Sequence, residues 1–269
     1  MHTKLILLLC FIAYATTAQI PKAPDRSEGE GPWPQLILRG ATLINGTGAP
    51  AIGPVDIVIE KNRIVQIATV GFPGVPIKAD KRPKLKDGGK EVDCSGKYVL
   101  PGLIDMHAHI GVEEQGTPAE YVFKLWMAHG ITTVRDPACG NGLDWVLDQK
   151  RRSLANAITA PRIYAYTAFG QGAQQPISTA QQAIDWVRDN QKKGADGIKF
   201  FGAAPEVMDA AIRENKKLGL RSTCHHAQMD VARWNVLQSA RAGMTSMEDR
   251  KSTRLNSSHI PLSRMPSSA

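Results

Sequence analysis

Over the first hundred residues the apolar positions fall in short β-type runs. Leu36-Ile37-Leu38 is followed by Val55-Asp56-Ile57-Val58-Ile59 and by Ile64-Val65-Gln66-Ile67 about a Lys61-Asn62 turn, the pattern of a β-hairpin. Val92, Tyr98 and Val99 predict a last strand ahead of Pro101-Gly102. A small β domain is expected over residues 19–98, with its strands beginning near residue 30.

After Pro101 the period changes, and strand-like runs alternate with helical ones, as a parallel sheet with helical crossovers requires. Six strands are predicted, at 103–107, 131–135, 162–166, 197–201, 220–225 and 244–248. The helix between the third and fourth opens on a capping box at Ser178 and Gln181, turns Ala183, Ile184 and Val187 inward and stops at Gly194. The next runs from about Pro205 with Met208, Ala211 and Ile212 on one face and ends at Gly219. Six β/α units over 99–248 are too many for most small doubly wound sheets and two short of a closed barrel of eight. The expected fold class is therefore α/β, an incomplete (β/α)8 barrel beside a small N-terminal β domain. Six strands leave two open edges, so aggregation of the chain as written is expected.

Composition narrows the function classes. The 269 residues are 42% hydrophobic and 22% charged, which suits a globular protein and excludes a disordered tail, a collagen-like repeat or a multispan membrane protein. Lys4, the apolar run from Leu5 to Ala15 and Thr16-Thr17-Ala18 predict a signal peptide over residues 1–18, cleaved after Ala18, and hence an exported protein, periplasmic or secreted. The run is too short to span a membrane, and Leu9 before Cys10 fits a lipoprotein site poorly.

Residues 249–269 read differently. Asp249 to His259, DRKSTRLNSSH, is what a common sequencing adapter encodes, and SRMPSSA at the end matches its continuation, so a non-native extension is expected after Glu248. Without Lys4, and without the one acidic and four basic residues after 248, the net charge of +8 becomes +4. Much of that remainder sits in a lysine-rich run, 78–90, that reads as a solvated loop, so neither a nucleic acid nor a membrane is expected as a partner. Cys94, Cys139 and Cys224 are widely spaced and form no visible disulfide framework.

Three places carry chemistry. Asp105-Met106-His107-Ala108-His109 ends the first barrel strand, and spacing by two puts both imidazoles on one face. At the C-terminal end of a parallel barrel, where active sites are built, such a pair can bind a metal through ring nitrogens, with Asp105 on the same face to orient an imidazole. Lys199, between Ile198 and Phe200 on the fourth strand, would be a lowered-pKa amine if buried, able to capture carbon dioxide as a carbamate. Otherwise its stem packs while its head reaches water. The fifth strand ends Cys224-His225-His226, where alternation lets only one histidine face inward, and Cys224 suggests a thiol nucleophile or a Cys/His metal pair for which no partner is evident. In barrel order, the histidine pair, the lysine and the strand-five histidine converge on one mouth.

With these residues in place the chain resembles the amidohydrolase superfamily, in its imidazolonepropionase-like and prolidase-like branch, from about Leu36 to Glu248. The resemblance rests on 43–48 (LINGTG), 100–109 (LPGLIDMHAH), 130–136 (GITTVRD), 194–199 (GADGIK) and 226–228 (HAQ). It implies a β-sandwich-like domain beside a (β/α)8 barrel holding one or two divalent metals, usually zinc, with His107, His109, a carbamylated Lys199 and His226 as ligands. The implied activity is hydrolysis of an amide bond in a small molecule such as a dipeptide or cyclic amide, by metal-activated water. Carbamates or ester-like bonds are alternatives on the same site, and an exported binding protein with an inactive barrel is the rival of another class. Homo-oligomers are frequent in that family.

The departure from the family pattern is specific. Its sixth strand reads Ser-Met-Glu-His, whereas Ser246-Met247-Glu248 is followed here by Asp249, and its catalytic aspartate on strand eight finds no position before 249. Asp249 and His259 take neither role, and the 269-residue chain by itself is expected to have little activity.

Overall fold

A computed structural model describes residues 20–111, 117–170, 176–225 and 234–248. The expected signal peptide at 1–18 and the expected extension after Glu248 both lie outside the described residues. The chain divides into two compact units, Ser27–Leu103 and Met1–Arg26 with Ile104–Ala269.

In the first unit, β1 (Gln35–Leu43), β2 (Ile52–Glu60) and β3 (Arg63–Thr69) form an antiparallel meander. The predicted hairpin is present, with Glu60 opposite Arg63 and Lys61 taking the left-handed conformation (φ 54°) that closes the turn. β4 (Lys90–Asp93) and β5 (Tyr98–Val99) both add to β1 in parallel, and among the described residues the unit holds a single five-stranded sheet. Ala41, Val55, Ile57 and Cys94 make its core.

Asp56 interrupts the apolar run of β2 and is fully buried. Its Oδ2 accepts from Arg39 Nη1 (2.8 Å) and Arg82 Nε (2.9 Å), and its Oδ1 from Arg82 Nη2 (2.9 Å) and the Gly40 amide (2.8 Å). Burial alone would raise the carboxyl, but the hydrogen bonds from Arg82, Arg39 and Gly40 outweigh it and hold Asp56 below the usual carboxylate range. One carboxylate thus joins β1, β2 and the loop that carries Arg82.

The second unit contains β6 (Leu103–Asp105), α1 (Ala119–Ala128), β7 (Ile131–Ala138), α2 (Leu143–Leu154), β8 (Arg162–Phe169), α3 (Ala180–Lys193), β9 (Gly197–Phe200), α4 (Pro205–Lys217), β10 (Arg221–Cys224) and α5 (Val236–Ala242). Its sheet runs in the order β10-β9-β8-β7-β6, with β7 through β10 paired in parallel, and forms part of a (β/α) barrel. Five of the six predicted strands are present. The sixth, 244–248, is not a strand, yet the Ser246 and Glu248 amides donate to Ser222 O and Cys224 O and lay it along β10.

The helices cover one face of the sheet. Val134, Ile163 and Ala165 pack against Phe123, Trp145 and Val146, while Ile198, Phe200 and Cys224 pack against Val187, Met208, Ala211 and Ile212. Ile20 and Ala23, upstream of the first unit, insert into the former cluster. The capping box of α3 lies one residue later than the sequence suggested. Thr179 accepts from the Gln182 amide and Gln182 Oε1 accepts from the Thr179 amide, because Ser178 remains outside the first turn and also donates to Gln182. The helix ends, as predicted, at a left-handed Gly194 (φ 104°). Cys94, Cys139 and Cys224 are all buried and unpaired with one another. No helix among the described residues is long and apolar enough to cross a membrane.

Replacing Asp56 by Ala should destabilise the N-terminal sheet by about 3 kcal/mol, the lower part of the range for breaking a buried ion pair, because Arg82 keeps some access to water. A carboxyl lowered on folding contributes stability above its unfolded pKa of about 3.9 and loses it as pH falls through the folded value. The difference between wild type and variant in hydrogen-exchange protection at β1 and β2 amides should therefore be large at pH 7 and shrink towards pH 3. Equal protection at pH 7 would remove Asp56 from this role.

Candidate metal centre

The parallel register decides which side chains reach the barrel interior. Ile198, Phe200 and Cys224 belong to the core under the helices, so alternation sends Lys199 and Thr223, paired in register, to the other face. The His225 amide donates to Phe200 O and continues that ladder, and two residues beyond Thr223 the same face carries His225. His226 lies outside the described residues.

Just past the end of β6, His107 and His109 stand with ring centroids 5.1 Å apart in an edge-to-face arrangement, so spacing by two has brought the pair together. The His225 ring lies 5.3 Å from that of His107. His107, His225 and Glu248 place potential ligand atoms within 4.8 Å of one another. Asp105 Oδ1 accepts from the backbone amide of His107 (2.9 Å), so this carboxylate braces the main chain of the turn. The carboxylate at the His107 imidazole is Glu248, whose Oε2 lies 2.6 Å from Nδ1.

Glu248 is the hub of the interior. Its Oε1 accepts from Arg135 Nη2 and from Thr223 Oγ1, each at 2.6 Å, and lies 3.7 Å from Lys199 Nζ. Burial works to raise its carboxyl, but Thr223, the Lys199 charge, His107 and Arg135 together hold it below the ordinary glutamate value. Arg135 also donates through Nε to Met106 O (2.7 Å) and through Nη1 to Ser246 Oγ (3.2 Å), and its guanidinium lies over the Tyr166 ring.

Lys199 is 1% exposed, and its Nζ makes no hydrogen bond. Burial lowers its pKa to about 8, against the attraction of Glu248 and with a further push from Arg135. The packed stem with a solvated head is thereby excluded. His109 is also lowered, by burial and then by the charges of His107 and Lys199, which favours the neutral, ligand-competent imidazole. Asp136 is fully buried, neither oxygen accepts a hydrogen bond of normal geometry, and Oδ1 lies 3.9 Å from His109 Nδ1. Burial drives this carboxyl up to about 7, only partly offset by the Cys139 amide. Cys224 points into the core, where burial pushes its thiol up to about 12, the opposite of what a nucleophile requires.

The roles of Arg135, Asp136 and Glu248 escaped the sequence reading. Two adjacent charges inside the strand ITTVRDPA were the available signal, since alternation must bury one on each face. A cavity of about 640 Å³ lies elsewhere, flanked by α2 and α3 and lined by Asn141, Trp145, Thr167, Trp186 and Lys193. It contains none of the clustered histidines.

No protein-family profile matches the chain. An adenine deaminase from Methanoculleus marisnigri is 36% identical over 129 residues, covering 45% of this chain and 24% of that protein. One from Geobacillus kaustophilus is 36% identical over 169 residues, covering 58% and 28%. The chain spans about a quarter of the length of these curated relatives. A solved prolidase in complex with N-methylphosphonate-L-proline superposes with a TM-score of 0.58 at 18% identity over 79% of this chain and 60% of that one, a likeness of fold.

Arg135 joins three segments, through Met106, Ser246 and Glu248, and should be the side chain least replaceable by another cation. Arg135→Lys keeps the charge but not the planar fork and should cost about 2 kcal/mol, whereas Arg135→Ala strands Glu248 and should cost about 3–5 kcal/mol. Urea-unfolding midpoints of the two variants test this, and an unshifted midpoint for Arg135→Ala would refute the bracing role.

Proposed function

We infer that this chain, which belongs to the amidohydrolase superfamily, supplies the metal-holding strands of an exported hydrolase that cleaves carbon–nitrogen bonds in small molecules. The observation that carries this reading is the meeting of His107, His225 and Glu248 beside a buried lysine amine that has no hydrogen bond. A buried ammonium without a hydrogen bond is costly, and a site that neutralises Lys199 or converts it to an anion removes that cost.

The donor set fits a divalent cation. His107, His109 and His225 offer imidazole nitrogens at the C-terminal ends of the strands, the face on which barrel enzymes build their sites. Lys199, as a free amine, can attack carbon dioxide: the nitrogen–carbon bond forms, a proton leaves the nitrogen, and an anionic carbamate takes the place of the ammonium. His226 keeps the ligand role that the family resemblance gives it, with His225 the neighbour that the strand register turns inward. A divalent cation held here, zinc by the family's habit, lowers the pKa of a bound water and polarises a carbonyl. The chain's own part is to fix the imidazoles, through Glu248 at His107 and the main-chain bond from Asp105, and to keep the lysine dry.

Dipeptides and cyclic amides are the proposed substrates, with a β-sandwich-like domain accompanying the complete barrel. The curated relatives' name adds adenine as a compound to assay. Release of amine from this panel is measured on the whole protein of which these strands are part, and no turnover of any member with zinc present would overturn the hydrolase reading.

Metal binding is measurable on the chain itself. Zinc titration should show a site weakened at least tenfold by His107→Ala and by His109→Ala, a loss of the size expected when a metal's coordination is disturbed. With 13C-labelled bicarbonate, a carbamate carbon resonance should appear in the wild type and be absent from Lys199→Ala. Zinc affinities unchanged in both histidine variants would remove the metal centre.

A further inference from the structure

Glu248 is placed to do something other than ligate. A carboxylate offers about four lone-pair sites. On Oε1 two are taken, by Arg135 Nη2 and by Thr223 Oγ1, and Oε2 faces His107 Nδ1, all three contacts at 2.6 Å. The guanidinium and the nearby Lys199 ammonium make the group an anion, which can only accept. The hydrogen between Glu248 and His107 then sits on Nδ1, and in the neutral imidazole Nε2 is the nitrogen with a free lone pair.

Arg135 acts on the same histidine from a second direction. Its Nε holds Met106 O, one residue ahead of His107, while its Nη2 holds the carboxylate that holds the ring. The Asp105 carboxylate fixes the intervening amide. Main chain and imidazole of His107 are both tied to one rigid guanidinium.

We propose that Glu248, anchored by Arg135 and Thr223, is a positioning residue that locks His107 in its Nδ1–H tautomer and presents Nε2 to a divalent cation. The use of Nε2 rests on the metal-centre reading, whereas the proton on Nδ1 stands on the hydrogen bonds of Glu248. Glu248→Gln makes the assignment sharp. The amide oxygen must keep accepting from Arg135 and Thr223, which turns the NH2 towards His107 Nδ1. An amide N–H donates there, so the histidine proton has to move to Nε2, and the nitrogen offered to the cation is lost.

Two-bond 15N–1H spectra of the 15N-histidine-labelled full chain without metal read the tautomer directly, and zinc titration of the same samples reads the consequence. At a pH where the His107 ring is neutral, the wild type should show Nδ1 protonated and Nε2 bare. In Glu248→Gln the pattern should invert and zinc affinity fall by roughly 10–100-fold. A wild-type spectrum with the proton on Nε2 overturns the proposal without recourse to any variant, and so does a variant that loses zinc while His107 keeps its wild-type tautomer, since Glu248 would then be a ligand. If the tautomer inverts as stated but neither protein binds zinc, the Glu248–His107 couple is upheld and the metal-centre reading fails.

Discussion

The ion pair of Arg135 and Glu248, both buried and 2.6 Å apart, is the constraint on which the barrel interior depends. Taking two charges out of water costs several kcal/mol apiece, and Coulomb attraction offsets that cost only where the remaining donors and acceptors are also satisfied. Here they are. The guanidinium finds Met106 O and Ser246 Oγ, and the carboxylate finds Thr223 and His107. These partners lie on three separate segments: the turn after β6, β10, and 244–248. Since 244–248 forms no regular strand, side-chain bonds of this kind hold it as much as its ladder bonds to Ser222 and Cys224.

The same pair explains the state of Lys199. Glu248 stands nearer to Arg135 than to the lysine, at 2.6 Å against 3.7 Å. At Lys199 burial, which favours the neutral amine, outweighs the attraction of Glu248, and the repulsion of Arg135 acts in the same direction as burial. Moving Glu248 onto the lysine would return it to an ordinary ammonium. Burial, helped by the neighbouring guanidinium, therefore lowers the lysine amine even with a carboxylate 3.7 Å away.

Much of this was legible in the sequence, and the rest was hidden for identifiable reasons. The alternation of strands and helices after Pro101, the β2–β3 hairpin, the Gly194 stop and the pairing of His107 with His109 all follow from local periods, which any single segment displays. What escaped depends on pairing between distant segments. Glu248 meets His107 across 141 residues, and nothing near either residue announces the other. The choice between His225 and His226 as the inward residue turns on register, because slipping one residue along a strand exchanges its faces. The capping box of α3 was misplaced by one because Ser178 and Thr179 are both good caps, and only the backbone conformation at Thr179 decides between them. Ile20 and Ala23 gave no periodic signal at all, being single apolar residues in an irregular segment.

Arg135-Asp136 shows how far a local violation can be read. A central strand with two consecutive charges breaks the rule that such strands are apolar throughout, and breaks of this kind gather where a site has to be built. Alternation sends the arginine to the interior, to hold Glu248 and through it His107. It sends the aspartate, opposite Ala165, to the helix-covered face, 3.9 Å from His109. The two charges serve the two histidines in different ways. Arg135 is fully engaged and fixes geometry. Asp136 is fully buried, and burial lifts its carboxyl to about 7, partly offset by the Cys139 amide. One strand thus sends a buried arginine to one face and a buried aspartate to the other, and both placements follow from the period of two that any β-strand imposes.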